Sequence, residues 1–361
     1  MRRWLLSILT LGTSLAHADL QPLERLPLSV KPVGYVRGAF FQTDASETDA
    51  LVGARNGFRL LNARLGVLIE ATQALQVEIS AEGAALRVQP GDPLEGERTV
   101  ALRDAYVAWR PQVWTHFYVG QFKAPYNAET LMSDADLPFV TRSILTDGIA
   151  PPDAFTRPGL TLDRHVGAQL RSGLLSMGNF EFTYAFALVN GNGQNSPYND
   201  NNGLMPVGRL TFGLKNLITL GLNGYWNTLE QGIRPNRLRL QQTSAGADLL
   251  VHLGEVHVMG LILWRESTTL DTQLPKEEAL GAMAQVQWLN KASGMELAVR
   301  GTAFEPSSVD PQDQLLELSA MVGYRFGDWP ARLALQYTAR YEQPEAAIDN
   351  NSVDAMVQVN F

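Results

Sequence analysis

The sequence predicts an all-β fold, a transmembrane antiparallel β-barrel of about sixteen strands. Three observations predict it. About sixteen segments alternate apolar and polar residues, the connections between them alternate short and long, and the alternation runs to the last residue, Phe361. Side chains alternate faces along a strand, so a period of two marks a strand with one apolar and one polar face. Tight turns at one end and long loops at the other are the asymmetry of outer-membrane barrels. A soluble sandwich has no reason to alternate its loop lengths.

The elements follow in chain order. Arg2 and Arg3 precede a short apolar stretch, Trp4 to Leu15, and Ala16-His17-Ala18 has the small-x-small form of a cleavage site. This predicts a secretory signal peptide over residues 1–18, because the apolar core is too short to cross a bilayer as a helix. Residues 19–32 are expected to form a short periplasmic segment, and 33–361 the barrel. The predicted strands are 33–43, 58–70, 75–87, 98–110, 115–123, 164–172, 178–190, 204–213, 217–229, 241–253, 255–266, 279–289, 294–304, 314–327, 330–341 and 352–361. Each is near the roughly 9–11 residues that a tilted strand needs to cross a bilayer. In 180–188, for example, Phe180, Phe182, Tyr184, Phe186 and Leu188 oppose Glu181 and Thr183.

Short connections include "TQAL", "GLKN", "NKASG" and "GDW"; long ones include 44–57, 88–97, 124–163, 191–203 and 342–351. In the last segment, "SVDAMVQVNF", Val353, Ala355, Val357, Val359 and Phe361 share a face opposite Asp354, Gln358 and Asn360. It is expected to close the barrel on the first strand. Closure gives every backbone N–H and C=O a partner inside hydrocarbon. Aromatic residues near strand ends, among them Tyr35, Trp109, Tyr118, Trp226, Trp288, Trp329 and Tyr341, suit interfacial girdles.

Composition narrows the function. There is no cysteine, which excludes disulfides and cysteine metal sites. The formal charge is −8 with no basic run, a poor match to nucleic acid. A mean hydropathy of −0.09 suits a barrel whose apolar outer face is averaged against a polar lumen. The five histidines are scattered, with His252 and His257 in consecutive strands, and no spacing forms a zinc motif. No G-x-S-x-G elbow or P-loop occurs, so no catalytic residue, metal or cofactor is assigned. Export plus a barrel predicts the outer membrane of a Gram-negative cell. Three functions compete: a pore for solutes, a hydrolase with a lumen-edge Ser/His pair, and a plugged structural or adhesion barrel.

Strand parity nominates lumenal residues. The cations are Arg64, Lys123, His165, Arg171, Arg209, Arg300, Arg332 and Arg340, with Gln121 beside Lys123 if Tyr118 and Phe122 face lipid. The anions are Glu70, Glu78, Glu82, Asp104, Glu181, Glu296 and Asp354. Opposed rows of both signs give a transverse field across a water-filled eyelet. The connection 124–163 is too long to be a plain loop.

Several stretches, "GQFKAPYNAE" (Gly120–Glu129), "FVTRS" (Phe139–Ser143), "LVNGNGQN" (Leu188–Asn195), "GRLTF" (Gly208–Phe212) and "GADLLVHLG" (Gly246–Gly254), resemble the phosphate-selective porin O and P family. The resemblance runs from about Gly34 to Phe361 and rests most on the order of the motifs. It implies a sixteen-stranded homotrimeric porin in outer-membrane lipid, passing small hydrophilic solutes, in particular anions such as phosphate. It also implies that barrel assembly machinery recognises the C-terminal Phe361. The loop after the fifth strand is then expected to fold inward, with Phe139, Ile144, Leu145 and Phe155 on the inner wall. Lys123, Arg142, Arg157, Asp134, Asp136 and Asp147 would charge the constriction. The chain departs from the family's basic ladder in having only five lysines.

Overall fold

The structure is a computed structural model that describes residues 28–44, 52, 56–89, 92–149, 157–196, 198–199, 203–215, 217–232, 237–271, 274–310, 312–327, 329–342 and 350–361. The proposed signal peptide and residues 19–27 lie outside the described residues. Sixteen strands form the wall: β1 Ser29–Thr43, β2 Gly57–Glu70, β3 Leu75–Gln89, β4 Asp92–Gln112, β5 Thr115–Lys123, β6 Arg164–Arg171, β7 Phe180–Asn190 and β8 Leu204–Leu214, then β9 Ile218–Gln231, β10 Leu238–Leu253, β11 Val256–Thr269, β12 Glu277–Leu289, β13 Met295–Glu305, β14 Leu315–Arg325, β15 Ala331–Glu342 and β16 Ser352–Asn360. A short strand, Leu175–Met177, continues the line of β6 and pairs with the start of β7. Each strand is antiparallel to the next, and β16 pairs with β1 from Tyr35↔Asn360 to Thr43↔Ser352. The sheet therefore has no edge.

Alternation decides which residues face in. On β1, Tyr35, Arg37, Ala39, Phe41 and Thr43 are buried in the lumen, while Val36 and Phe40 are exposed outward. The outer surface is an apolar band that includes Leu65, Val119, Ile262, Leu297, Leu335 and Val357. Such a face suits hydrocarbon and nothing else.

Three sequence expectations are corrected. The first strand starts at Ser29, because Ser29–Gly34 pair with Leu65–Glu70 of β2 beyond the reach of β16. Residues 88–97 are not a plain loop, because β3 and β4 stay paired as far out as Arg87↔Glu97 and Val88↔Gly96. Tyr35 and Tyr118 do not belong to the girdles. Both are buried inward, and the Tyr35 hydroxyl donates to Asp134 at 3.3 Å.

The closing seam depends on a small residue. Gly34 N donates to Phe361 O and Phe361 N to Gly34 O, each at 3.0 Å. A Cβ on Gly34 would lie 2.5 Å from the Phe361 ring, so the terminal aromatic occupies the notch that the glycine leaves.

Candidate functional site: the lumenal constriction

The connection after β5 turns into the barrel, as expected. It carries two single-turn helices, α1 Ala128–Leu131 and α2 Ile144–Asp147, with a 3-10 turn at Asp134–Asp136 between them. Gly148–Ile149 pairs with Arg157–Pro158 on its way back to β6. Such a segment has many carbonyls with no ladder partner, and a buried carbonyl needs a donor. The wall supplies donors. Arg37 Nη2 donates to Val140 O at 2.7 Å, Arg300 Nη1 to Thr141 O at 3.0 Å, Arg332 Nη1 to Leu137 O at 2.6 Å and Arg209 Nη1 to Tyr126 O at 2.7 Å. Gln358 donates to Ala135 O, and Gln336 accepts from Val140 N.

Apolar contacts complete the fastening. Phe139, Ile144 and Leu145 are buried, as predicted, and Phe155 lies outside the described residues. The Arg300 guanidinium stacks 4.3 Å above the Phe139 ring. Leu145 presses on Gly281, where a Cβ would come within 2.4 Å of it. At the centre is Glu129, almost fully buried. Its carboxylate accepts from Ser143 N at 2.9 Å, from Ser143 Oγ at 2.5 Å and from Thr146 Oγ1, with Arg300 Nη1 at 3.8 Å.

The predicted constriction residues divide into two groups. Lys123 and Arg142 do meet, but as fasteners rather than as a bare cationic mouth. Lys123 Nζ donates to Thr130 O at 2.8 Å and Met132 O at 2.6 Å. Arg142 donates to Glu129 O, to Met132 O at 2.7 Å and to Asp134 Oδ1 at 2.6 Å. Both cations cap the carbonyl end of α1, where positive charge is favoured. Burial alone would raise the Asp134 pKa, but Arg142, Lys123 and Arg64 hold it well below the usual carboxylate range. Asp136, on the 3-10 turn, and Asp147 are both exposed. The Arg157 side chain lies outside the described residues.

Of the residues that parity nominates, Arg64, Asp104, His165, Arg209, Arg300 and Arg332 are buried on the wall. Arg64 lies 3.8 Å from Glu82 and 3.9 Å from Asp134. Arg209 pairs with Asp248, Arg332 with Glu296 and Arg340 with Glu317. His165 Nδ1 lies 2.8 Å from Asn190 O, and Arg171 stacks on Tyr118. The condition set for Gln121 and Lys123 is not met: Tyr118 and Phe122 are buried inward, which puts both residues on the opposite parity. Gln121 donates to Leu102 O and Arg103 O of β4, whereas Lys123, the last residue of β5, still reaches the inward loop.

Those two carbonyls mark a feature that alternation conceals. The β3–β4 register shifts between Ile79↔Ala105 and Ala81↔Leu102, so Arg103 and Asp104 both oppose Ser80. This β-bulge turns two consecutive side chains to the pore. Arg103 pairs with Asp163 at 2.9 Å, and Asp104 takes a two-pronged bond from Arg164 at 2.8 and 2.9 Å. Asp163 sits at φ 45° and Asn195 at φ 57°, left-handed conformations that Asp and Asn tolerate. Asn195 N donates to Arg164 O, which draws the 191–203 connection onto the same spot. Arg37, Arg103, Arg164 and Asp163 were not among the sequence candidates.

These groups enclose a cavity of about 270 Å³ between the inward loop and strands β1, β2 and β4. Arg37, Arg103, Arg142 and Arg164 line it with Asp134, Asp147, Asp163 and the neutral Asn62 and Gln194. Among the described residues no three or more histidine, aspartate or glutamate side chains gather to hold a metal ion.

A family model described as phosphate-selective porin O and P matches residues 35–245. No curated protein sequence matches the chain. Among solved structures, the outer membrane channel DcaP of Acinetobacter baumannii aligns with a TM-score of 0.63 at 12% identity, covering 92% of this chain and 97% of that one. An anion-selective porin from Comamonas acidovorans aligns at 0.61 and 11% identity, covering 92% and 100%. OmpF of Salmonella typhi, in complex with daunomycin, aligns at 0.61 and 13%, covering 92% and 97%. At these identities the likeness is one of fold.

Proposed function

This chain belongs to the phosphate-selective porin O and P family and is an outer-membrane porin, and from that premise we propose that its pore passes small hydrophilic solutes by passive diffusion and favours anions. The carrying observation is the lumenal cavity, where four arginines face three aspartates. A lining with one more guanidinium than carboxylate raises the local concentration of anions, oxyanions such as phosphate and carboxylates alike. The porin of Comamonas acidovorans titled anion-selective shares the architecture. Diffusion through such a path needs no covalent chemistry.

The test is single-channel recording in planar bilayers with a salt gradient. Ohmic steps with a reversal potential toward anions, strongest at low salt, are expected, because exposed charges are screened within roughly 8–10 Å in ordinary salt. Cation preference would remove the anion assignment. Silence, or turnover of a lipid substrate, would favour the plugged barrel or the hydrolase.

Family membership also supports a homotrimer, and the mass in mild detergent decides it; a monomer refutes it. We assign Phe361 a role in recognition by barrel assembly machinery. Deleting it should slow assembly more than it weakens the finished barrel, since one terminal residue adds little to a ladder that runs from Tyr35 to Thr43. Equal assembly rates for the deleted and intact chains would count against that role.

A further inference from the structure

We propose that His252 and His257 form a two-imidazole binding site for a borderline divalent transition metal ion, Zn²⁺, Ni²⁺ or Cu²⁺, on the lumen side of the periplasmic rim. The two residues are direct partners in the β10–β11 ladder. Their Nδ1 atoms lie 2.6 Å apart, and their rings meet edge to face at 4.9 Å between centroids. A turn of two residues, Gly254 and Glu255, joins the strands, with Gly254 at φ 67°, so the pair is held at the base of a tight hairpin. His252 N also donates to Leu217 O at 2.8 Å, which fixes this end of β10 to β9.

Parity sets the face. His252 shares the side of Ser244 and Asp248, and His257 that of Met259, Leu261 and Leu263, all buried in the lumen. Short turns mark the periplasmic end of the barrel. His252 is exposed and His257 half-buried, so water and ions reach both rings.

The geometry suits a metal better than it suits stability. A lone exposed hydrogen bond between neutral imidazoles adds little to a barrel held by sixteen ladders. Zn–N bonds of about 2.0–2.1 Å at a tetrahedral angle put two donor nitrogens about 3.3 Å apart, so the rings need to open by well under 1 Å. Imidazole nitrogen selects Zn, Ni and Cu over the oxygen-seeking Ca and Mg. Water completes the shell, because among the described residues no third protein donor is gathered there. Glu255 is engaged elsewhere, with its Oε2 accepting from Trp288 Nε1 and Asn290 Nδ2. Lys291 acts electrostatically on His257; it opposes a cation without removing a donor.

Zn²⁺ titration of the full mature chain in detergent, followed by calorimetry, tests the site. A saturable single-site isotherm is expected. His252→Gln or His257→Gln should each weaken binding by about tenfold or more, since each removes one of two donors. His116→Gln, on β5, should bind as the unaltered chain does. Heat-modifiable gel mobility checks that every variant is folded. Absence of saturable Zn²⁺ binding in the unaltered chain would overturn the proposal. So would unchanged binding in the folded H252Q/H257Q double variant, which would place the ion elsewhere.

Discussion

Glu129→Ala should raise the single-channel conductance severalfold while leaving a folded barrel. The carboxylate is the hub that ties α1 to α2, and its removal strands three donors, Ser143 N, Ser143 Oγ and Thr146 Oγ1. A buried donor left unsatisfied costs about 1–3 kcal/mol. Arg300 loses its buried counter-charge as well, and breaking such a pair costs about 3–5 kcal/mol. Together these exceed what one loop, fastened by a few carbonyl bonds to Arg37 and Arg332, can absorb in place. The wall is spared, because none of its ladder bonds involves Glu129. The loop then leaves the lumen and the water path widens. Glu129→Gln, which keeps one acceptor for Ser143 N, should fall between the two. Unchanged conductance in Glu129→Ala, with heat-modifiable mobility intact, would mean that the arginine donors alone hold the constriction.

Arg103→Glu should turn the pore from anion to cation preference. Four arginines against three aspartates become three against four. Moving two charges at about 6 Å from a permeating ion, at the dielectric of water, changes its energy by about 1.4 kcal/mol. That is tenfold for one ion, and cations and anions move in opposite directions. The scaffold keeps its other bonds. Asp163 retains Arg164 at 2.9 Å, and Gln121 binds the Arg103 backbone rather than its side chain. Reversal potential in a salt gradient is the readout, and the shift should shrink as salt rises. If the sign does not change at low salt, Arg103 does not face the permeation path.

The wall was legible in the sequence because a barrel forces each strand to write its two environments in alternation. β14 and β16 alternate buried and exposed over almost every residue. The inward loop was legible only as an excess of length. Its fasteners were visible as lumenal arginines, but their partners were not, since backbone carbonyls leave no trace in residue identity. Arg300 and Arg332 thus read as pore charges, and the fold engages them with Thr141 O and Leu137 O. Gln121 was misplaced because the aromatic residues beside it, Tyr118 and Phe122, pack on lumenal neighbours instead of lipid. An apolar residue marks the outside only where the inside is wet. Behind the constriction it is dry.

The paired residues Arg103 and Asp104 amount to a phase slip in β4. On the periplasmic side of the slip, odd positions such as Val107 and Trp109 point to lipid; on the far side, even positions such as Val100 and Leu102 do. Two halves of one strand therefore keep opposite phase, and the slip reconciles them at the level of the constriction. Deleting either residue would remove the slip and leave strict alternation, with Val100, Leu102 and Val107 all still outward and one charge opposite Ser80 in place of two. A one-residue deletion at a regular position of β4 would instead turn part of the strand over, because no extra residue is there to absorb it. The bulge thus adds a second charge to the pore at one level of the wall without moving any apolar residue off the lipid face.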